Sequence, residues 1–245
     1  MGSTPRVALL GGAGLVGSEL SRIRHGSWQV SRIDVHPGAT ADADQPAAIV
    51  DVLDEAALTS VLTGVDIVVH LANVPVRTPP PYPASTLRDA FAVNVGSVYT
   101  GIRASAAAGV GSFIHVSSMS VFADSRSETP EGEGDALESY GLSKRLAEHA
   151  CAAMEDVGPT VTSIRIAFPT PDDAWPLWLR PSDSTAIPLT FDDETYTALR
   201  ISDLARAIDI LSARRGRYAR LALAGDARLA PTVDDLRHTW GGATA

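Results

Sequence analysis

Residues 6–17 read RVALLGGAGLVG. The apolar run closed by Gly11 and Gly12 has the form of a buried strand. Leu15, Val16, Leu20 and Ile23 then recur at the spacing of one helical face. A strand, a glycine turn and a helix in that order open a βαβ unit, and the rest of the chain repeats the alternation. Strands are predicted at about 28–33, in AAIVDV, in VDIVVHLA, in SFIHVSS, in TVTSIRIA and in RYARLALAG. Helices are predicted after Asp54 (a helix-capping residue), over about 86–108, about 137–156 and about 202–213, with a short one at the end. This pattern predicts an α/β fold with a doubly wound parallel sheet. Residues 74–85 are proline-rich and follow the fourth strand, where a pocket wall is expected. Residues 169–195 are rich in prolines and acids and show no periodicity.

With 245 residues and 45% hydrophobic content, the expectation is one domain spanning 1–245, with 169–200 and 225–245 contributing a small substrate-binding part. The net charge of −9 argues against nucleic acid and anionic membranes as partners. No apolar run reaches membrane-spanning length, and no signal peptide is evident, so a cytoplasmic location is expected. Cys151 is the only cysteine, which rules out an internal disulfide and a thiolate cluster; no metal is expected.

Gly11, Gly14 and Gly17 are spaced G-x-x-G-x-x-G. Such a loop lets backbone approach a pyrophosphate and delivers it to the free amides of a helix start. With a strand before it and a helix after it, residues 11–17, Ala13, Leu15 and Val16 among them, are read as a dinucleotide site. Asp34 ends the second strand at the separation expected for an acid that bonds the adenosine ribose, which favours NAD over NADP. It also suits a turn before HPG, and Arg32 and His36 flank it as residues that could rescue some NADP binding. Asp51 is placed equally well to meet the adenine amino group or to cap the next helix.

Tyr140-Gly-Leu-Ser-Lys144 sets a tyrosine and a lysine four residues apart on one helical face. An isolated phenol titrates near pH ~10, and an adjacent ammonium favours its phenolate. The chain has 19 arginines and a single lysine, and that lysine is Lys144. Arginine's wider fork does not serve the same role. Ser117, Ser118 and Ser120 compete as a hydroxyl that bonds a substrate oxygen at the end of the fifth strand.

Taken together, Gly11–Gly17, Asp34, His70-Leu71-Ala72, Asn94, Ser117-Ser118 with Val121-Phe122, Tyr140-x-x-x-Lys144 and Arg200-Ile-Ser-Asp203 resemble the extended short-chain dehydrogenase/reductases, the NAD-dependent epimerase/dehydratase family. The resemblance implies a Rossmann-type fold and NAD as cofactor. It implies Tyr140 as acid/base, Lys144 as its modulator, Ser118 as the substrate-bonding hydroxyl and Asn94 as support for proton transfer. It further implies cofactor contacts from Asp51, Val52, Leu71, Ala72, Asn73, Tyr140, Lys144, Ile166 and Phe168. Phe122 stands where the family usually has tyrosine. Pairing of two long helices, common in the family, implies a homodimer.

The dehydratases of the family place an Asp-Glu pair after the catalytic hydroxyl residue; here Met119 and Ser120 stand there, which disfavours dehydration. About 75 residues follow the sixth strand, little for gripping a nucleotide. Short members include uronate dehydrogenases, which IRIAFPTPDD resembles, yet their Asn-His pair and arginine are missing; Arg180 and Arg77 are the nearest anion ligands. Val74, Pro75, Met119, Phe168, Trp175 and Trp178 are expected to line a partly apolar pocket, with Ser118 and Tyr140 supplying its polar contacts. The expected activity is interconversion of an alcohol and a ketone on a small substrate. The alternatives are a sugar or sugar-acid epimerase or dehydrogenase of the same family, and an NAD(P)-sensing protein without catalysis.

Overall fold

The computed structural model describes residues 4–38, 47–75, 82–124, 126, 129–180 and 183–240. β1 (Arg6–Leu10), α1 (Leu15–Ile23) and β2 (Gln29–Asp34) form the opening unit. β3 (Ala48–Ile49), α2 (Glu55–Val61), β4 (Ile67–His70), α3 (Ala84–Phe91) and α4 (Ser97–Ala108) follow. β5 (Ser112–Ser118), α5 (Ser139–Ala153) and β6 (Thr160–Ile166) complete the central part. After six short strands come α6 (Ile201–Ser212), β13 (Ala219–Leu223) and α7 (Val233–Trp240).

Seven strands form one sheet in the order β13-β6-β5-β4-β1-β2-β3, parallel throughout. The reversal of winding lies between β1 and β4, where such sheets open a crevice at their carboxyl ends. Alternate residues face opposite layers, as strand geometry requires. Val7, Leu9, Val69, Val116, Ile164 and Leu223 pack under α1, α6 and α7. Ala8, Leu10, Val68, Phe113 and Val161 pack under α2, α4 and α5. The central strands are therefore apolar on both faces, and each buried Leu, Ile or Val contributes about 1.5–3 kcal/mol.

Three elements differ from the sequence expectation. AAIVDV shrinks to the two-residue β3, because it is an edge strand bonded only to β2, and Ile49 stays exposed. The helix expected over 86–108 starts at Ala84 and contains a π-helical turn, Ala92–Gly96, between α3 and α4. The segment without periodicity is made of β7 (Pro169–Thr170), β8 (Trp178–Arg180), β9 (Thr185–Ile187), β10 (Leu189–Phe191), β11 (Glu194–Tyr196) and β12 (Leu199–Arg200). β8 pairs with β9 and β10 with β11 in antiparallel fashion, and β7 pairs with β12 in parallel. Strands of two or three residues are too short to show alternation. Among the described residues no helix is long and apolar enough to cross a membrane.

Candidate active site

Gly11 has φ +79°, and a Cβ there would lie 2.5 Å from the Ala72 nitrogen. Glycine is therefore required for β1 to turn against the end of β4. At Gly17 an added Cβ would lie 2.6 Å from Gly12 Cα, so α1 rests directly on the loop. Gly14 caps α1 with no side chain, and no acid stands in the first turn. The helix start thus presents its amides and positive dipole end uncompensated. Asp34 receives hydrogen bonds from Ala13 N at 3.0 Å and His36 N at 3.3 Å. Its carboxylate both steadies the loop and closes the turn, so the ribose-binding and turn readings of Asp34 are compatible. These residues fit a dinucleotide: an open helix start for phosphates and a carboxylate at the tip of β2.

Asp51 accepts from Leu53 N at 2.9 Å, and it is Asp54 that caps α2 through Ala57 N at 3.0 Å. The capping alternative for Asp51 is thereby removed. Arg32 is buried beneath the loop, 3.4 Å from Ser18 Oγ, instead of flanking Asp34 at the surface. Leu15 and Asn73 are exposed, Val16 and Leu71 partly so, and Val52, Ala72 and Ile166 are buried.

The three serines are separated by their partners. Ser117 is buried and donates to Glu148 Oε1 at 2.6 Å. Ser118, half-buried at the carboxyl end of β5, accepts from Ser120 N at 3.1 Å, and its hydroxyl also donates to Ser120 Oγ at 3.1 Å. Tyr140 is the second residue of α5, whose cap is Glu138: the Glu138 carboxylate accepts from Tyr140 N at 2.8 Å and from Gly141 N. Lys144, one turn on, is only 3% exposed and donates to the Val116 carbonyl at 3.0 Å. The structure thus brings Ser118, Tyr140 and Lys144 to the carboxyl ends of β5 and α5's first turns.

Asn94 sits in the π-helical turn and is buried. Its Oδ1 accepts from Val74 N at 2.7 Å, and its Nδ2 donates to Val74 O at 3.2 Å and Ser143 Oγ at 3.0 Å. That side chain is fully engaged in tying the segment after β4 to α5. The π turn, a feature enriched at functional positions, aims it.

Behind Lys144 lies a polar layer that the sequence pattern did not reveal. His70 Nε2 is 2.8 Å from Ser97 Oγ, and His115 Nδ1 is 3.1 Å from Ser163 Oγ. The two rings meet edge to face at 5.9 Å. Burial, reinforced by the Lys144 charge, pushes His70 down to about 3 and His115 well below the usual imidazole range. Both rings are therefore neutral at physiological pH. Burial pushes the Cys151 thiol up to about 12, so this cysteine is inert.

The expected pocket residues differ in exposure. Met119 is turned inward, buried with Val121, Phe122 and Ala167. Trp175 lies at the surface under the Arg200 guanidinium, 4.9 Å from its ring centroid. Trp178 is the tryptophan that packs on Phe168, edge to face at 5.5 Å. Phe168 holds a left-handed φ of 49° and also touches Phe191 at 5.7 Å. Val74 is anchored through its backbone by Asn94; Arg77 and residues 76–81 of the proline-rich stretch lie outside the described residues. No cluster of metal-ligating side chains occurs among the described residues.

Comparison with known proteins finds the model of the NAD dependent epimerase/dehydratase family matching residues 7–168. A curated relative, an uncharacterized protein of Sinorhizobium fredii, is 31% identical over 173 residues, which is 67% of this chain and 41% of the relative. The chain thus matches less than half of that relative's length. Among solved structures, MoeE5 in complex with UDP-glucose and NAD superposes with a TM-score of 0.68 at 23% identity, covering 98% of this chain and 82% of the other. A short-chain dehydrogenase/reductase superfamily protein from Agrobacterium tumefaciens with bound NAD gives 0.69 at 17% identity, covering 96% and 91%. A mutated uronate dehydrogenase gives 0.69 at 18% identity, covering 96% and 80%.

Proposed function

Because this chain belongs to the NAD-dependent epimerase/dehydratase family, with NAD as its cofactor, we propose that it is an oxidoreductase interconverting a hydroxyl and a carbonyl on a small, unphosphorylated substrate. The observation that carries this reading is the sole lysine, buried one helical turn from Tyr140 and bonded to the Val116 carbonyl, two residues before Ser118 in β5.

In this reading the amides of residues 14–17 hold the pyrophosphate, Asp34 the adenosine ribose and Lys144 the nicotinamide ribose. When bound, NAD supplies the hydride acceptor. Tyr140's phenolic oxygen takes the proton of the substrate hydroxyl as the carbon loses its hydride, and returns it in the reverse direction. Ser118 Oγ donates to the same substrate oxygen and steadies its developing charge. Lys144, held by the Val116 carbonyl one helical turn from Tyr140, supplies the compact ammonium of the site. Asn94 keeps the wall formed by Val74 in register with α5.

The absence of a phosphate on the substrate is supported by the arginines that follow β7. Arg180 is bonded to Asp183, Arg200 to Asp203, Arg206 to Asp203 and Asp234, and Arg228 to Asp226 and Glu194. A diphosphate would have to break such pairs to find a cation. Phe168, Trp178 and Phe191 instead offer apolar contact.

Epimerisation uses the same residues but returns the hydride to the substrate. The two are separated by incubating the protein and NAD with small alcohols and sugar acids and following NADH fluorescence. Accumulating NADH supports the oxidoreductase; isomerised product without NADH supports the epimerase. Efficient turnover of a UDP-sugar would overturn the substrate assignment. Failure of Tyr140→Phe to lower the rate by about a hundredfold or more would overturn the chemistry.

A further inference from the structure

Glu148 stands four residues beyond Lys144 and eight beyond Tyr140, so the three follow one face of α5. The helix rise places Glu148 about 6 Å below Lys144 and about 12 Å below Tyr140. It is 2% exposed, and each of its carboxylate oxygens is held. Ser117 Oγ donates to Oε1 at 2.6 Å, Arg165 Nε to Oε1 at 2.8 Å, and Arg165 Nη2 to Oε2 at 2.6 Å. Arg165 is fully buried, and its remaining nitrogen Nη1 donates to the carbonyls of Pro130 at 2.9 Å and Gly132 at 2.7 Å. Its guanidinium lies 4.9 Å from the ring centroid of Phe122, in the turn that leaves Ser118. Residues of α5, β5, β6, the 130–132 segment and the turn at Phe122 thus converge on one ion pair.

A second contact fixes the other end of the same helix. Gly141 lies so close to the turn after Ser118 that an added Cβ would stand 2.0 Å from the Ser120 carbonyl oxygen. Ser117 and Ser120 flank Ser118 in β5 and its turn; their partners Glu148 and Gly141 flank Lys144 in α5. Resting on the Tyr140 and Lys144 chemistry proposed above, we propose that Ser117, Glu148 and Arg165 form a positioning lock that sets the roll of α5 against β5, and with it the reach of Tyr140 and Lys144 to Ser118 and the cofactor. A bidentate guanidinium–carboxylate pair fixes direction as well as distance, which a single hydrogen bond does not. Rolling a helix about its axis moves side-chain tips by an ångström or more, and such misplacement costs up to about a hundredfold in rate.

The test uses two variants of the full chain. Ser117→Ala removes the tie to β5 and leaves Arg165 on Glu148. The pair Glu148→Gln with Arg165→Met removes the lock without stranding a buried charge. Both are measured for kcat, KM, pH–rate profile, NADH affinity and melting temperature. The lock predicts a kcat about tenfold lower with KM within about twofold, a displaced pH–rate profile, and NADH binding about threefold weaker. A fall in melting temperature with kcat, pH profile and NADH affinity all within twofold of the unmutated protein would reduce the cluster to a stabilising ion pair and overturn the lock. If the unmutated chain transfers no hydride to or from any alcohol or carbonyl, the functional reading fails by itself. NADH affinity in the two variants then decides the lock: unchanged in both, it is overturned. Should the paired variant not fold, Ser117→Ala carries the decision.

Discussion

The two sides of the carboxyl edge handle polarity in opposite ways. On the β1–β2 side, α1 starts without a capping side chain or a nearby acid, and Asp34 ends β2 with a carboxylate beside the loop. On the side of the short hairpins, charge is closed upon itself: Arg180 with Asp183, Arg228 with Asp226 and Glu194. The first arrangement is preorganised for an anion from outside; the second leaves aromatic surface as its means of selection. In the proposed reading, one half of the crevice recognises by charge and the other by shape.

The strongest way to break this contrast is at Lys144. Replacement by arginine keeps the charge but not the compact ammonium under the Val116 carbonyl. Single-turnover hydride transfer is expected to fall about a hundredfold, equivalent to ~3 kcal/mol. A rate within about threefold of the unmutated protein would show that charge alone matters there.

Acid provides the next test, because β4 and β5 carry two neutral imidazoles behind Lys144. Among the described residues, His70 Nδ1 and His115 Nε2 have no hydrogen-bond partner. The unfolded chain protonates these groups below about pH 6.5, whereas the folded chain holds His70 neutral down to about 3. The stability from this difference is fully present above pH 6.5 and is lost as pH falls through that window. For His70 alone the loss is about 1.4 kcal/mol per pH unit, so about 2 kcal/mol between pH 6.5 and 5. Urea titrations across that range should show it, and His70→Asn should flatten the slope; parallel slopes for both proteins would refute the buried neutral state.

Asp34→Ala should act more weakly, at about 1 kcal/mol, since it removes one carboxylate contact and the tie to Ala13 N. Isothermal titration is expected to show weaker NAD binding and a narrower gap to NADP. A native preference for NADP would reverse the assignment of that edge. The smallest effect is expected on the closed side. Arg180→Ala breaks an exposed, solvent-screened ion pair, so steady-state turnover and NADH binding should change less than twofold. A selective rise in KM for acidic substrates would show that Arg180 is an anion ligand after all.

Much of the open side was legible because its determinants are local. Strand, glycine spacing and helix lie within residues 6–23, and Tyr140 and Lys144 lie one turn apart. The closed side was not legible, since β7–β12 are two or three residues long and their pairing depends on turns and cross-strand contacts. Periodicity likewise carries no trace of the π turn that aims Asn94. Arg165 lies in the predicted strand TVTSIRIA, and its partner Glu148 is 17 residues away on a different element. The spacing Tyr140, Lys144, Glu148 was the available signal for that lock. Trp175 and Trp178 could not be told apart by sequence, because only the fold decides which ring meets Phe168.

The burial of Lys144 has a practical side. This side-chain amine is the only one in the chain and is shielded in the folded state. An acylating reagent reaches it only when α5 opens locally, so the rate of modification measures the free energy of that opening. A lysine-specific protease likewise has a single bond to cut, inside the same helix. Adding NAD should slow both reactions in proportion to its occupancy, which turns a residue excess of arginine over lysine into a built-in gauge of how tightly the crevice is held shut.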